Sequence, residues 1–293
     1  MDATRHKESI ADTFDRAAAV FDRSPVDFFT PLGERLVARA ELRPGDRILD
    51  IGCGRGSCLF PAREAVGPDG SVTGIDIAPA MVRHTEAEAL AQGWSNVTVR
   101  HMDAEMPDFS PESFDAVLGG FSVMHLPGAP ATLGAYLRLL APGGRLVYSD
   151  LVDEDGLPPF VPPDAFAVLA PHFPPGPDPR ERGRAPWSES AASITAALTR
   201  LGFEEVTVAE ETHEMAVASG ADWITWSMST GLRAAWDELG RAEATAAREA
   251  IGAIFEGLRG PDGRIVLPVP VRFVHARRPL VSGDSADGAT EGR

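Results

Sequence analysis

Cysteine is nearly absent: the chain of 293 residues has two, Cys53 and Cys58, both inside one glycine-rich stretch. That excludes a disulfide framework and a Cys-type zinc site, and suits a reducing cytoplasm. Basic residues are also scarce, 27 against 43 acidic ones, for a net charge of −16. With no positive excess to neutralise phosphates, nucleic acid and anionic membrane are excluded as expected partners, and a small molecule is easier to accept. No run of some 18 apolar residues occurs, and residues 1–8 lack the apolar core of a signal peptide. A cytoplasmic protein, monomer or homodimer, is the expectation. No spacing of His and carboxylates suggests a metal centre.

What the chain does have is Arg47–Ile48–Leu49–Asp50–Ile51 followed by Gly52, Gly54 and Gly56. An apolar run that breaks into alternate glycines reads as a strand, a tight loop and a helix, because glycine lets backbone turn sharply and approach a ligand. Residues 71–75 read as a second strand ending in Asp76, where a doubly wound fold places an acceptor for ribose hydroxyls. A dinucleotide fingerprint needs glycines at loop positions one, three and six. Here Ser57 stands at six, and no Tyr–Lys proton-transfer pair is evident, so an NAD-dependent oxidoreductase is disfavoured.

Upstream, Ile10, Phe14, Ala17, Ala18 and Phe21 share one face of a helix, and residues 31–42 read as a second helix with Thr30 as cap and Pro31 in its first turn. Downstream, a helix over 79–92, a strand over 97–102, a strand over 114–120, a helix over 129–140 and a strand over 145–149 alternate. That pattern predicts an α/β fold with right-handed crossovers and a parallel sheet. Ten prolines between 158 and 186 argue against regular structure in most of 151–187. A helix over 190–201, a strand over 204–209, a helical insertion over 221–258 and a strand over 264–276 follow. In the insertion Trp223 pairs with Trp226, and Leu232 with Trp236, each pair on one helix face. The predicted organisation is an N-terminal helical lid (1–42), a ligand-binding core (43–150), a Pro-rich lid loop (151–189), a core helix and strand (190–219), a helical cap (220–260), a last core strand (261–280) and a disordered tail (281–293).

Taken together, Asp50–Ile51–Gly52–Cys53–Gly54–Arg55–Gly56, Gly74–Ile75–Asp76–Ile77–Ala78–Pro79–Ala80–Met81, Asp103–Ala104–Glu105, Phe114–Asp115–Ala116–Val117 and Leu139–Leu140–Ala141–Pro142–Gly143–Gly144 resemble the ordered motifs of the class I S-adenosylmethionine-dependent methyltransferases. Within that family the chain is similar to the ubiquinone and menaquinone methyltransferase-like group and to bacterial natural-product enzymes. The resemblance covers roughly residues 43–150. It implies a doubly wound, mostly parallel seven-stranded sheet with the helical cap inserted before the last strand, and S-adenosyl-L-methionine as cofactor. It also implies roles. Gly52, Cys53 and Gly54 present backbone to the methionine end, and Asp50 ends the first strand beside the amino group. Asp76 accepts both ribose hydroxyls, and Ile77 packs on the adenine. Asp103 accepts from the adenine amine, while Ala104 donates its N–H to the ring. Met81, Gly120, Phe121 and, from the lid helix, Phe21 complete the cofactor set. Two plainer readings stay open beside these: Asp76 and Asp103 as caps of the following helices, and Phe14 and Phe21 as ordinary core.

Phe121, Ser122 and His125 follow the fourth strand at its carboxyl end, where open α/β sheets bind ligands, so the methyl acceptor is expected there. His125 is the candidate general base, with a rate rising through a pKa near that of imidazole, or else a wall of the pocket. His172, in the Pro-rich segment, could also enter the site. Phe160, Phe166, Phe173, Trp223, Trp226 and Met228 give the cap an apolar character, which suits a hydrophobic acceptor or simply the cap's own core. The resemblance implies O-methylation in secondary metabolism. N- or C-methylation, or a cyclase or binding protein that keeps the cofactor without transferring its methyl group, are the alternatives.

Overall fold

Four of the five residues of β1 (Arg47–Ile51) are buried, which a strand achieves only inside a sheet covered on both faces. The computed structural model describes residues 3–152, 157–174 and 188–280. β2 (Ser71–Asp76), β3 (Val97–His101), β4 (Phe114–Gly120), β5 (Leu140–Leu151), β6 (Glu204–Val217) and β7 (Ile265–Arg277) complete a seven-stranded sheet of order β3-β2-β1-β4-β5-β7-β6. β1 pairs in parallel with β2 and β4, β2 with β3, and β4 with β5, whereas β7 runs antiparallel to both β5 and β6. The predicted α/β class and the mostly parallel seven-stranded sheet are what the chain adopts.

Helices cover both faces. On one, α2 (Phe29–Arg39) and α3 (Leu59–Val66) bury Leu32, Leu36, Leu59 and Val66 against Ile48, Val72 and Leu118. On the other, α5 (Ala129–Leu139) and α7 (Ala191–Arg200) bury Leu133, Tyr136, Ile194 and Leu198 against Leu49, Val117 and Leu146. The order of β1 next to both β2 and β4 makes the sheet's switch point lie at the carboxyl end of β1, where such folds open a crevice. α1 (Ala3–Ala17) lies across that end, packed on α4 (Pro79–Ala91). The cap, α8 (Gly220–Ser227), α9 (Arg233–Trp236) and α10 (Arg241–Gly257), stands between β6 and β7.

Several expectations change. Thr30 does not cap α2: the N-cap is Phe28 without a side-chain bond, and the Thr30 hydroxyl donates to Asp22 at 2.6 Å. α2 packs in the layer that covers the sheet, whereas α1 packs on α4. β6 continues past Ala209 to Val217, because its far half alternates buried Met215 and Val217 with exposed neighbours in register with β7. Within the Pro-rich segment one short helix forms. Pro163 opens α6 (Pro163–Leu169), since proline fits the first helical turn, and Ala165, Phe166 and Leu169 are buried. Residues 153–156 and 175–187 of that segment, and the tail from 281, lie outside the described residues. Among the described residues no helix is long and apolar enough to cross a membrane.

Candidate active site

A cavity of about 310 Å³ opens at the carboxyl ends of β1, β2 and β4, beneath α1 and the cap. Asp50, Gly52, Cys53, Gly54, Asp76, Ile77, Met81, Asp103, Ala104, Gly120, Phe121, Phe21 and His125, named above from sequence, all line it.

The glycine loop is built from backbone that other residues resist. Gly52 and Gly54 sit at φ +61° and +50°, and a Cβ on Gly52 would stand 2.6 Å from the Cβ of Ser122. Asp50, ending β1, is buried with one carboxylate oxygen, Oδ2, lacking a partner among the described residues. Burial, then the neighbouring Asp76 charge, pushes its carboxyl well above the usual range. Asp76, at the end of β2, is also raised by burial, but less, because backbone N–H groups hold it: Ala78 donates to Oδ1 at 2.8 Å and Gly54 to Oδ2 at 2.9 Å. The Ala78 bond shows that Asp76 does tie down the start of α4, and its carboxylate still lines the cavity.

At the other end, Asp103 accepts the Glu105 N–H at 2.9 Å and the Lys7 ammonium at 2.7 Å. Lys7 also pairs with Glu105. Burial works against the Lys7 charge, but the two carboxylates win and raise its pKa. The Tyr136 hydroxyl donates to the Ala104 carbonyl at 2.6 Å, fixing the peptide between the two acids. Sequence reading missed Lys7, although positions 7, 10 and 14 fall on one face of α1 and the apolar two were already assigned to it.

His125 closes a single 3₁₀ turn, Val123–His125, and its N–H donates to the Ser122 carbonyl at 3.1 Å. Its ring meets the edge of Phe14 at 5.5 Å. Burial under α1, then the charge of nearby His6, lowers its pKa to about 4. The expectation of an imidazole-like pKa is therefore corrected: the ring is neutral across physiological pH. Phe21 stacks on Phe29 at 4.6 Å, and Phe28 lies 5.6 Å from Phe121, so aromatic faces enclose this part of the cavity.

Away from the carboxylates the cavity wall is apolar: Leu151, Pro158, Phe160, Phe166, Phe173 and Leu232, with Thr230 and Gly231. Thr230 is already engaged, donating to the Ser227 carbonyl and accepting from the Leu232 N–H. Trp223, Trp226 and Met228 do not line the cavity. The two tryptophans are fully buried behind it, with Trp223 Nε1 donating to the Phe160 carbonyl at 3.0 Å and Trp226 packed on Phe160. For these three the core reading holds. His172 stands outside the wall, as do His6, His84, His101, His213 and His275. Sequence reading also missed Phe28, Phe29 and Thr230, which sit in segments with no motif.

The methyltransferase domain family model matches residues 42–169. Over 210 residues the chain is 41% identical to aklanonic acid methyltransferase DauC of Streptomyces sp. strain C5, spanning 69% of this chain and 95% of that one. Over 274 residues it is 38% identical to nocamycin O-methyltransferase of Saccharothrix syringae, spanning 90% and 96%. Among solved structures, the YcgJ protein from Bacillus subtilis superposes with a TM-score of 0.55 at 17% identity, covering 85% of this chain and 99% of that one, which establishes the shared fold.

Proposed function

Because this chain belongs to the class I S-adenosylmethionine-dependent methyltransferases, we propose that it transfers a methyl group from S-adenosylmethionine to an oxygen of a hydrophobic small molecule of secondary metabolism. The observation that carries this reading is one cavity with two chemistries: carboxylates and glycine backbone at one end, aliphatic and phenyl side chains at the other, and His125 on its wall just past β4. The residues at the polar end fit the cofactor, since the buried Asp50 carboxylate keeps an unfilled acceptor for an ammonium and Gly52 and Gly54 leave no side chain in the way. Oxygen as acceptor is supported by the names of relatives, one an O-methyltransferase and one acting on an acid.

S-adenosylmethionine supplies an electrophilic methyl group on a sulfonium centre. The chain's own residues do the rest. Asp50 takes the amino group, Asp76 the ribose hydroxyls, and Asp103 with Ala104 the adenine edge, while Ile77 and Met81 pack on its faces. Phe160, Phe166, Phe173 and Leu232 hold the acceptor by burial of apolar surface. Phe14, Phe21, Phe29 and Phe121 exclude water, which favours a desolvated nucleophile. Neutral His125 accepts the acceptor's proton at a ring nitrogen when the nucleophile is a hydroxyl. Nucleophile and methyl must be held close and in line, and that positioning is the larger part of the work.

The purified protein should bind S-adenosylhomocysteine by calorimetry and release it from S-adenosylmethionine only when an apolar, oxygen-bearing acceptor is added. Product mass and NMR locate the new methyl. A methyl on nitrogen or carbon overturns the oxygen assignment, and the absence of both cofactor binding and turnover overturns the reading as a whole.

A further inference from the structure

The chain has a single lysine, Lys7; every other member of its 27 lysines and arginines is an arginine. That lysine stands with Ile10 and Phe14 on the face of α1 that lines the cavity, so one ammonium is set into an otherwise apolar stretch of wall. Two of its three N–H groups are taken, by Asp103 Oδ2 at 2.7 Å and by Glu105 Oε2 at 2.5 Å. The third has no acceptor among the described residues. Both carboxylates are themselves held, since Asp103 accepts the Glu105 N–H at 2.9 Å and Glu105 accepts the Gly128 N–H. The Lys7 side chain keeps 23% of its surface, which leaves the ammonium within reach of a molecule in the cavity.

Fastening α1 does not by itself call for this residue. A partly exposed ion pair contributes about 1 kcal/mol at most, and a guanidinium, the cation this chain uses everywhere else, meets a carboxylate with a planar fork. An ammonium is a compact charge with three donors pointing apart. Two carboxylates keep it charged, and the remaining donor asks for an acceptor on a ligand. At this end of the cavity the ligand group assigned above is adenine, with its amine on Asp103 and a ring nitrogen on the Ala104 N–H. Adenine has a ring acceptor on each side of that amine, N1 and N7, and with Ala104 serving N1 the one left is N7. We propose that Lys7 is a cofactor-binding residue whose third N–H donates to adenine N7, so that the base is read on both edges. This rests on the reading of the cavity as a cofactor site.

Calorimetry with S-adenosylhomocysteine and its 7-deaza analogue, in which a C–H replaces N7, tests it in the parent and in Lys7→Met. The parent's binding of S-adenosylhomocysteine tests the cavity reading, and failure there removes both. Given that binding, the parent should prefer S-adenosylhomocysteine to the 7-deaza analogue about tenfold or more, as one hydrogen bond from a charged donor would give, and Lys7→Met should bind the two alike. Any loosening of α1 in the variant weakens both ligands equally and drops out of the ratio. A parent without the preference, or a variant that keeps it, overturns the proposal. Should the variant fail to fold, the parent labelled with ¹³C-lysine gives one ε-methylene signal to follow by NMR. That signal should move with S-adenosylhomocysteine and move less with the 7-deaza analogue; equal movement with both overturns the contact and leaves Lys7 only its hold on α1.

Discussion

Lys7 of α1 donates to Asp103, 96 residues further along the chain, at 2.7 Å, and the same ammonium pairs with Glu105. α1 is thereby fastened to the loop that carries Asp103 and Glu105. Further bonds hold it: Arg16 to Asp237, just past α9, at 2.8 Å, the Ala80 N–H of α4 to Asp15 Oδ1, and, in the turn after it, the Arg55 guanidinium to the Ala18 carbonyl at 2.7 Å.

Lys7→Met should loosen α1 more than the sheet. A partly exposed ion pair contributes about 1 kcal/mol, so amide exchange across residues 3–17 should speed up about fivefold while the sheet stays protected. High salt should bring the parent towards the variant, because screening weakens the same contact. Unchanged exchange would show that the packing of Phe14 and Phe21 holds α1 by itself.

Asp76→Ala should cost cofactor affinity and, to a smaller degree, stability. Losing the proposed ribose contact should cost about 2 to 4 kcal/mol, roughly thirtyfold to several hundredfold in Kd. The substitution also strands the N–H groups of Gly54 and Ala78, for about 1 to 2 kcal/mol in urea denaturation. A folded variant that binds S-adenosylmethionine as tightly as the parent would refute the assignment of this site.

Asp50→Asn should do the reverse to stability. The buried carboxyl is raised, so the folded state holds a proton more tightly than the unfolded one, and stability falls as pH rises above the ordinary carboxylate range. An amide of the same shape removes that penalty. At pH 7 the ligand-free variant should gain about 1 to 3 kcal/mol and bind cofactor less tightly. Thermal unfolding with and without S-adenosylhomocysteine reads both; a variant less stable without ligand would show the carboxylate to be structurally required.

His125→Ala should lower the methylation rate at saturating acceptor by about a hundredfold if the acceptor is a hydroxyl, with cofactor affinity barely changed. In the parent, with the pKa lowered to about 4, the rate should be level near neutrality and fall only as pH approaches that value. Stability follows the same group. Between about pH 4 and the unfolded value of 6.5 the folded state binds fewer protons, so stability is lost as pH drops through that window, and the variant should lose less of it. A full rate with an unaltered pH profile would leave His125 only a positioning role.

The core was legible because its signals are local. β2 and β4 are apolar runs that end in aspartate or glycine, β1 runs straight into Gly52, and Pro79 at the start of α4 marks a helix boundary that a chain of any fold would respect. The site residues on those strand ends came with the motifs. What the sequence concealed depends on contacts far along the chain. Lys7 gains its meaning only from Asp103, the second half of β6 only from its register with β7, and the depressed pKa of His125 only from the cover α1 provides. Local composition carries none of that. Within the Pro-rich segment the short α6 was not foreseen, because prolines that end helices also begin them.

β6 is the last strand of the sheet, and so one of its two rims. Along it Glu204, Glu205, Glu210 and Glu214 are exposed, and its pairing with β7 is irregular between Glu204 and Thr207, where Glu205 takes φ +50°. A rim with bare peptide groups is an invitation to a second copy, and charge together with a kink is how such an invitation is withdrawn. The acidity that composition shows only as a total thus has an address. Concentrated stocks should cloud first under acid or high salt, the two conditions that silence carboxylates, and lysines placed at these four positions should keep them clear at low pH.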